Sequence, residues 1–168
     1  MNRLMRVAVV LVILTACVGC DQTSKSLARE YLEDRGTASF LDDTFRLQYA
    51  ENTGGFLSLG DSLPRQWRTG VFVVGAGAVV AAALVYALLA SSAGPLQILA
   101  LSLICSGGVG NLVDRVRYDG HVTDFLNIGL GPVRTGIFNV ADVALMTGFA
   151  LYAFQWLRID RKSGPDLS

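Results

Sequence analysis

Two aspartates, Asp124 and Asp142, carry the clearest chemical potential in this chain. Asp142 is the only charged side chain between Thr135 and Leu157, a run that otherwise reads as membrane-spanning. An unpaired carboxylate in hydrocarbon is costly, so the expectation is a functional group that faces other helices and has a partner. Asp124 is the best candidate, because it lies in the polar connection Val122-Thr123-Asp124-Phe125, from which the chain can fold back. Two close carboxylates that share one proton divide the work of hydrolysis: one stays anionic and activates water while the other donates a proton.

Other polar residues are spaced to support such a pair. Asn111, Asp114 and Arg115 stand at i, i+3 and i+4, which places an amide, a carboxylate and a guanidinium on one helix face. Asn139 and Asp142 repeat the Asn-x-x-Asp spacing, which suggests shared geometry on another helix. Asp21 and Lys25 lie one turn apart with the acid first. Exposed, such a pair contributes a few tenths of a kcal/mol; at the end of a span it can fix polar geometry beside the bilayer. Asn52-Thr53-Gly54-Gly55 reads as a turn. His121 is the single histidine and reads as solvated, so neither a zinc site of the usual composition nor another metal or cofactor is expected. Cys17-Val-Gly-Cys20 has redox-motif spacing but reads as small helix-packing residues, and the three cysteines imply no disulfide framework.

These groups must be positioned by a membrane scaffold. Over 168 residues the hydrophobic fraction is 52% and the mean hydropathy +0.45, which are high for a soluble domain. The pattern predicts a mainly α membrane protein of one domain, with four transmembrane helices near 7–24, 69–90, 95–113 and 137–157. The polar segment after Cys20 holds good helix formers that can prolong the first span. Connections 25–68 and 114–136 are expected on the extracytoplasmic face, carrying a small β-sheet and a surface loop or helix. Alternation through Phe45, Leu47 and Tyr49 predicts a strand, the sheet is expected within Phe40–Leu59, and Phe125–Pro132 reads as a surface loop. Trp67 and Trp156 suit interface anchors. Zero net charge gives no reason to expect a nucleic-acid partner, while Arg3 and Arg6 at one end and Arg158, Arg161 and Lys162 at the other place both termini in the cytoplasm.

Taken together, Asp21-Gln-x-x-Lys25, Asn52-x-Gly54, Gly110-Asn111-x-x-Asp114-Arg115, Val122-x-Asp124-Phe125 and Phe138-Asn139-x-Ala141-Asp142 resemble the bacterial lipoprotein signal peptidases, or signal peptidase II. The resemblance implies an intramembrane aspartic endopeptidase of the bacterial inner membrane. Such enzymes cut prolipoproteins on the N-terminal side of a diacylglyceryl-modified cysteine, so lipidated prolipoproteins and membrane lipid are the implied partners. By motif, Asp124 and Asp142 are the catalytic pair, and Asp21, Lys25, Asn52, Gly54, Asn111, Asp114, Arg115 and Asn139 line and support the site. The chain departs from the family pattern at Gly55-Phe56, where the aromatic comes one residue early, and at Ser106, where glycine is common.

Two rival readings remain at this level. An intramembrane aspartate also suits a small proton-coupled transporter or channel subunit. Leu14-Thr15-Ala16-Cys17 resembles a lipobox, which would make the chain itself a lipoprotein processed at Cys17.

Overall fold

A computed structural model describes residues 1–55, 60, 62–90 and 92–162, the last four by backbone alone. Four long apolar helices dominate: α1 (Arg3–Leu32), α2 (Arg65–Leu89), α3 (Pro95–Arg117) and α4 (Val140–Lys162). Each has a stretch long and apolar enough to cross a membrane. The third is the central helix, since 56% of its apolar window is buried against 11–17% for the others.

Helix α1 runs without a break through Cys17 and Cys20 and about three further turns of polar sequence, as the helix formers after Cys20 predict. Val10 is 1% exposed and packs in a core with Ala87, Ile98 and Leu101. The first apolar run therefore belongs to the packed bundle, as expected of a retained span. Within α2, Gly70–Gly75 forms a π-helical stretch. Small residues let α3 and α4 approach closely. A Cβ on Gly107 would collide with the Ala141 carbonyl oxygen, and one on Gly148 would lie 2.7 Å from that of Ala100.

The sheet is larger than the sequence predicts. Strands β1 (Ala38–Phe40), β2 (Phe45–Asn52), β3 (Val122–Leu130) and β4 (Val133–Arg134) form one antiparallel sheet in that order. Half of it comes from the second connection, where Phe125–Pro132 was expected to be a loop. That segment lacks clean alternation because Val122 through Phe125 are all buried, which hides the strand period. The predicted continuation Phe56–Leu59 lies outside the described residues. In the β1–β2 connection Leu41, Asp42 and Asp43 all have positive φ, between 49° and 68°. Asp43 clasps this turn by pairing with Arg46 and accepting from Ser39.

Two chain reversals set up the site. After α3, Asp119 and Gly120 take φ of 54° and 93°, turning the chain so that β3 returns alongside the helix end. After β4, Phe138 bridges to Leu126 through hydrogen bonds of 2.8 and 2.9 Å, and α4 begins only at Val140. The fourth span therefore starts three residues later than the apolar run suggests. Phe138 pairs with β3 rather than continuing the helix, which makes Asn139 the residue immediately before it.

Candidate functional site

A buried ammonium lies at the centre of the polar residues. Lys25 is fully buried, and its Nζ reaches Asp21 at 2.8 Å, Asp114 at 3.2 Å and the Asn111 side-chain oxygen at 2.9 Å. These three acceptors come from α1 and α3. They are available because Asp21 and Lys25 stand one turn apart on α1, while Asn111 and Asp114 share a face of α3. Gly110 permits the approach, since a Cβ there would stand 2.7 Å from Asp21 Oδ2.

Both aspartates of this core are fully engaged. Asp21 also accepts from the Ala141 backbone N–H at 2.9 Å, which joins α1 to the first turn of α4. Asp114 accepts from Gln22 at 2.9 Å and from the Thr123 N–H at 3.1 Å, and it faces Arg29 at 3.4 Å. The pair Asp21–Lys25 is thus no exposed surface contact, and Asp114 is no solvated helix end. Breaking such a buried arrangement at one partner leaves an uncompensated charge.

From this core the network passes to the expected dyad. Asn111 accepts from Lys25, and its amide donates to Asp142 Oδ1 at 2.9 Å. Asn139 donates to Asn111 at 3.2 Å and to Asp124 Oδ1 at 2.6 Å. At the start of α4, Asn139 and Asp142 form a reciprocal cap: the Asp142 N–H donates to Asn139 Oδ1 at 3.0 Å, and the Asn139 N–H donates to Asp142 Oδ2 at 3.2 Å. One residue, Asn139, therefore touches both carboxylates, that of Asp124 through its side-chain amide and that of Asp142 through its backbone N–H. The two Asn-x-x-Asp spacings do not share geometry. Asn111 and Asp114 lie on a helix face, whereas Asn139 and Asp142 make a helix start.

Asp124 receives a second donor from the outer loop. Asn52 ends β2 and donates to Asp124 Oδ2 at 3.0 Å and to the Gly55 carbonyl at 3.1 Å, while accepting from the Gly54 N–H at 3.0 Å. The predicted turn at Asn52–Gly55 is thus tied directly to the carboxylate. Arg115 holds it from α3, donating to the Gly54 carbonyl at 2.6 Å. Arg115 does not pair with Asp114. Its guanidinium also lies 5.5 Å from the centre of the Phe72 ring.

Burial pushes the Asp124 carboxyl up to about 6, and the nearby Asp142 adds to the rise; the donors Asn52 and Asn139 and the charge of Lys25 oppose it. Beside the pair lies an apolar groove of about 390 Å³ between α2, α3 and α4. Asn111, Arg115 and Asp142 are its polar lining, and Val79, Ile104, Leu145, Met146 and Phe149 are among its apolar side chains. All ten residues expected at the site belong to this connected arrangement. Among the described residues, no three His, Cys, Asp or Glu side chains are grouped to hold a metal ion.

Two contributors escaped the sequence reading. Gln22 bridges Asp21, Asp114 and the Gly110 carbonyl, and its only signal was its place inside the Asp-Gln-x-x-Lys motif. Arg29 continues the i, i+4 ladder from Asp21 through Lys25 and stacks on Tyr118 with 3.8 Å to the ring centre. It is therefore a part of the network.

The sequence profile of the family described as Signal peptidase (SPase) II matches residues 13–158. The chain belongs to the signal peptidase II family. It is similar to a lipoprotein signal peptidase of Caldanaerobacter subterraneus subsp. tengcongensis, at 33% identity over 144 residues, covering 86% of this chain and 92% of the relative. A lipoprotein signal peptidase of Geobacter metallireducens is 35% identical over 147 residues, covering 87% and 88%. A solved structure described as a bacterial membrane enzyme has the same fold, with a TM-score of 0.81 at 20% identity, covering 96% of this chain and 94% of that one. Family membership makes the chain a peptidase, and the four apolar helices make it a multi-pass membrane protein.

Replacing Lys25 by Met tests the buried core. The variant is expected to lose about 3–5 kcal/mol of stability, because Asp21 and Asp114 keep their buried charges without the ammonium between them. The thermal midpoint of the purified protein in detergent reports this; an unchanged midpoint contradicts the assignment.

Proposed function

We propose that this chain is an aspartic endopeptidase that removes the signal peptide of prolipoproteins, with Asp124 and Asp142 as its catalytic pair. The observation that carries the reading is the Asn139 side chain and backbone, which hold both carboxylates beside an apolar groove. The bond cut is the one N-terminal to a diacylglyceryl-modified cysteine. The groove suits this substrate, since an apolar signal segment and a lipid-modified residue can both enter from the bilayer. With both termini in the cytoplasm, the site lies near the extracytoplasmic face.

In this reading the pair carries one proton at rest, and it is placed on Asp124 because Asp142 is the carboxylate that lines the groove. Asp142 lines the groove and takes a proton from the attacking water. The resulting hydroxide bonds to the scissile carbonyl carbon while Asp124 gives its proton to the carbonyl oxygen. When the tetrahedral species collapses, Asp142 passes its proton to the leaving nitrogen and Asp124 recovers the one it gave. Asn111, Asn139 and Asn52 keep the two carboxylates in place through these transfers. Lys25, Asp21 and Asp114 position Asn111, and Arg115 with Gly54 positions the turn that carries Asn52.

The competing transporter reading fits less well. A coupling site is expected near the middle of the bilayer, whereas Asp142 is the third residue of α4. Processing at Cys17 would remove Met1 to Ala16, and with them Val10, which packs against Ala87, Ile98 and Leu101 in the bundle.

Asp124→Asn and Asp142→Asn are each expected to lower cleavage of a lipidated prolipoprotein by roughly 10⁴-fold or more while the protein still inserts into membranes. Near-normal turnover by either variant rejects the pair. The pH profile supplies an independent check. The Asn52 amide favours the ionised form of Asp124, so Asn52→Ala raises its ionisation further. The descending limb of kcat/KM, where the shared proton is lost, then moves to higher pH than in the parent protein. A limb that stays in place or moves down removes Asp124 as the proton carrier.

A further inference from the structure

The opposite end of the bundle holds a second buried cation with no partner carboxylate among the described residues. Arg6 is 6% exposed, although it lies only one turn into α1. One of its terminal nitrogens donates to the carbonyl of Ala90, the half-buried residue that follows the end of α2. Its Nε is buried and has no hydrogen-bond partner. No acidic side chain among the described residues pairs with it, whereas Lys25, also buried, has Asp21 and Asp114. A buried guanidinium so placed lacks its counter-charge.

Arg6 lines a cavity of about 350 Å³ together with Met1, Arg3, Leu88 and Leu89. Two guanidiniums give this cavity positive charge, and the N-terminus of α1 adds its dipole. The walls are otherwise apolar. Leu89 is 63% exposed and Leu4 is 81% exposed, so the cavity is continuous with the surface that meets lipid tails. Arg3 stands eighteen residues before Asp21 on one helix, or about 27 Å at 1.5 Å per residue, so this cavity is separate from the peptidase site.

We propose that the cavity formed by Arg3, Arg6, Leu88 and Leu89 binds the headgroup phosphate of an anionic phospholipid. The phosphate supplies the acceptors that the Arg6 guanidinium lacks, and Arg3 pairs with it from the exposed side. The acyl chains run along Leu4 and Leu89. No carboxylate among the described residues lines the cavity to receive a choline or ethanolamine cation, so an anionic headgroup is preferred over a zwitterionic one. The bound lipid ties the first turn of α1 to the end of α2, the helix that also forms one wall of the groove.

The experiment uses the purified full chain in detergent, with dioleoyl phosphatidylglycerol, dioleoyl phosphatidylcholine or inorganic phosphate added in turn. Native mass spectrometry counts retained lipid, and the thermal midpoint is read in parallel. Phosphatidylglycerol is expected to be retained at least about threefold more than phosphatidylcholine and to raise the midpoint, with no effect from millimolar inorganic phosphate. Arg3→Gln and Arg6→Gln should each abolish the preference, whereas Arg117→Gln, on an exposed side chain near the other end of the bundle, should keep it. Because Arg6 also bonds to Ala90, Arg3→Gln is the decisive variant if Arg6→Gln does not fold. Equal retention of the two lipids, an unchanged preference in Arg3→Gln, or the same stabilisation by inorganic phosphate overturns the proposal.

Discussion

The arrangement depends on one buried ammonium. Lys25 is inaccessible to solvent, so it must be matched by acceptors supplied by the protein, and Asp21, Asp114 and Asn111 are those acceptors. Their requirements then fix much else. Asp21 must find a further donor and takes it from the Ala141 N–H, which sets the start of α4 against α1. Asp114 takes the Thr123 N–H, which sets the start of β3 one residue from Asp124. Asn111, with its oxygen committed to Lys25, can only turn its amide outward, toward Asp142. The ion cluster therefore acts as a template that orients the amides, and the amides orient the acids.

Such a template is needed because the dyad works against folding. The Asp124 carboxyl rises from 3.8 to about 6 on folding, so stability is lost as pH increases between those values, by about 3 kcal/mol in all. Two carboxylates near each other in a dry setting would separate or take up protons unless donors held them. Asn139 is suited to this because it serves as a helix cap as well as a ligand of Asp124. Its side-chain oxygen and its backbone N–H are committed to the first turn of α4, which leaves the amide pointing toward Asp124 and Asn111.

Much of the site was legible in the sequence because its residues are costly where they stand. Asp142 within an apolar run demanded a partner, and the Asp21–Lys25 spacing specified one helix face. The four spans were visible for the same reason, as runs without charge. What could not be read were features set by pairing across distance. The β3 strand hides behind consecutive buried residues, since Val122 to Phe125 face protein on both sides. Asn139 reads as part of a helix because Ile137 and Phe138 extend the apolar run, although Phe138 bridges to β3 and the helix begins only at Val140. Its Asn-x-x-Asp spacing is also a helix-start signature, and that signal was available. Arg29 carries no signal of its own, because nothing in the local sequence announces Asp114 or Tyr118.

The central claim is that a single residue, Asn139, organises both acids. It is tested most directly by the initial rate of prolipoprotein cleavage by Asn139→Ala, in which Asp124 and Asp142 are intact. The account predicts a fall of about 100-fold or more in kcat with little change in KM, in protein that still purifies as a folded species. A rate within about threefold of the parent would contradict it.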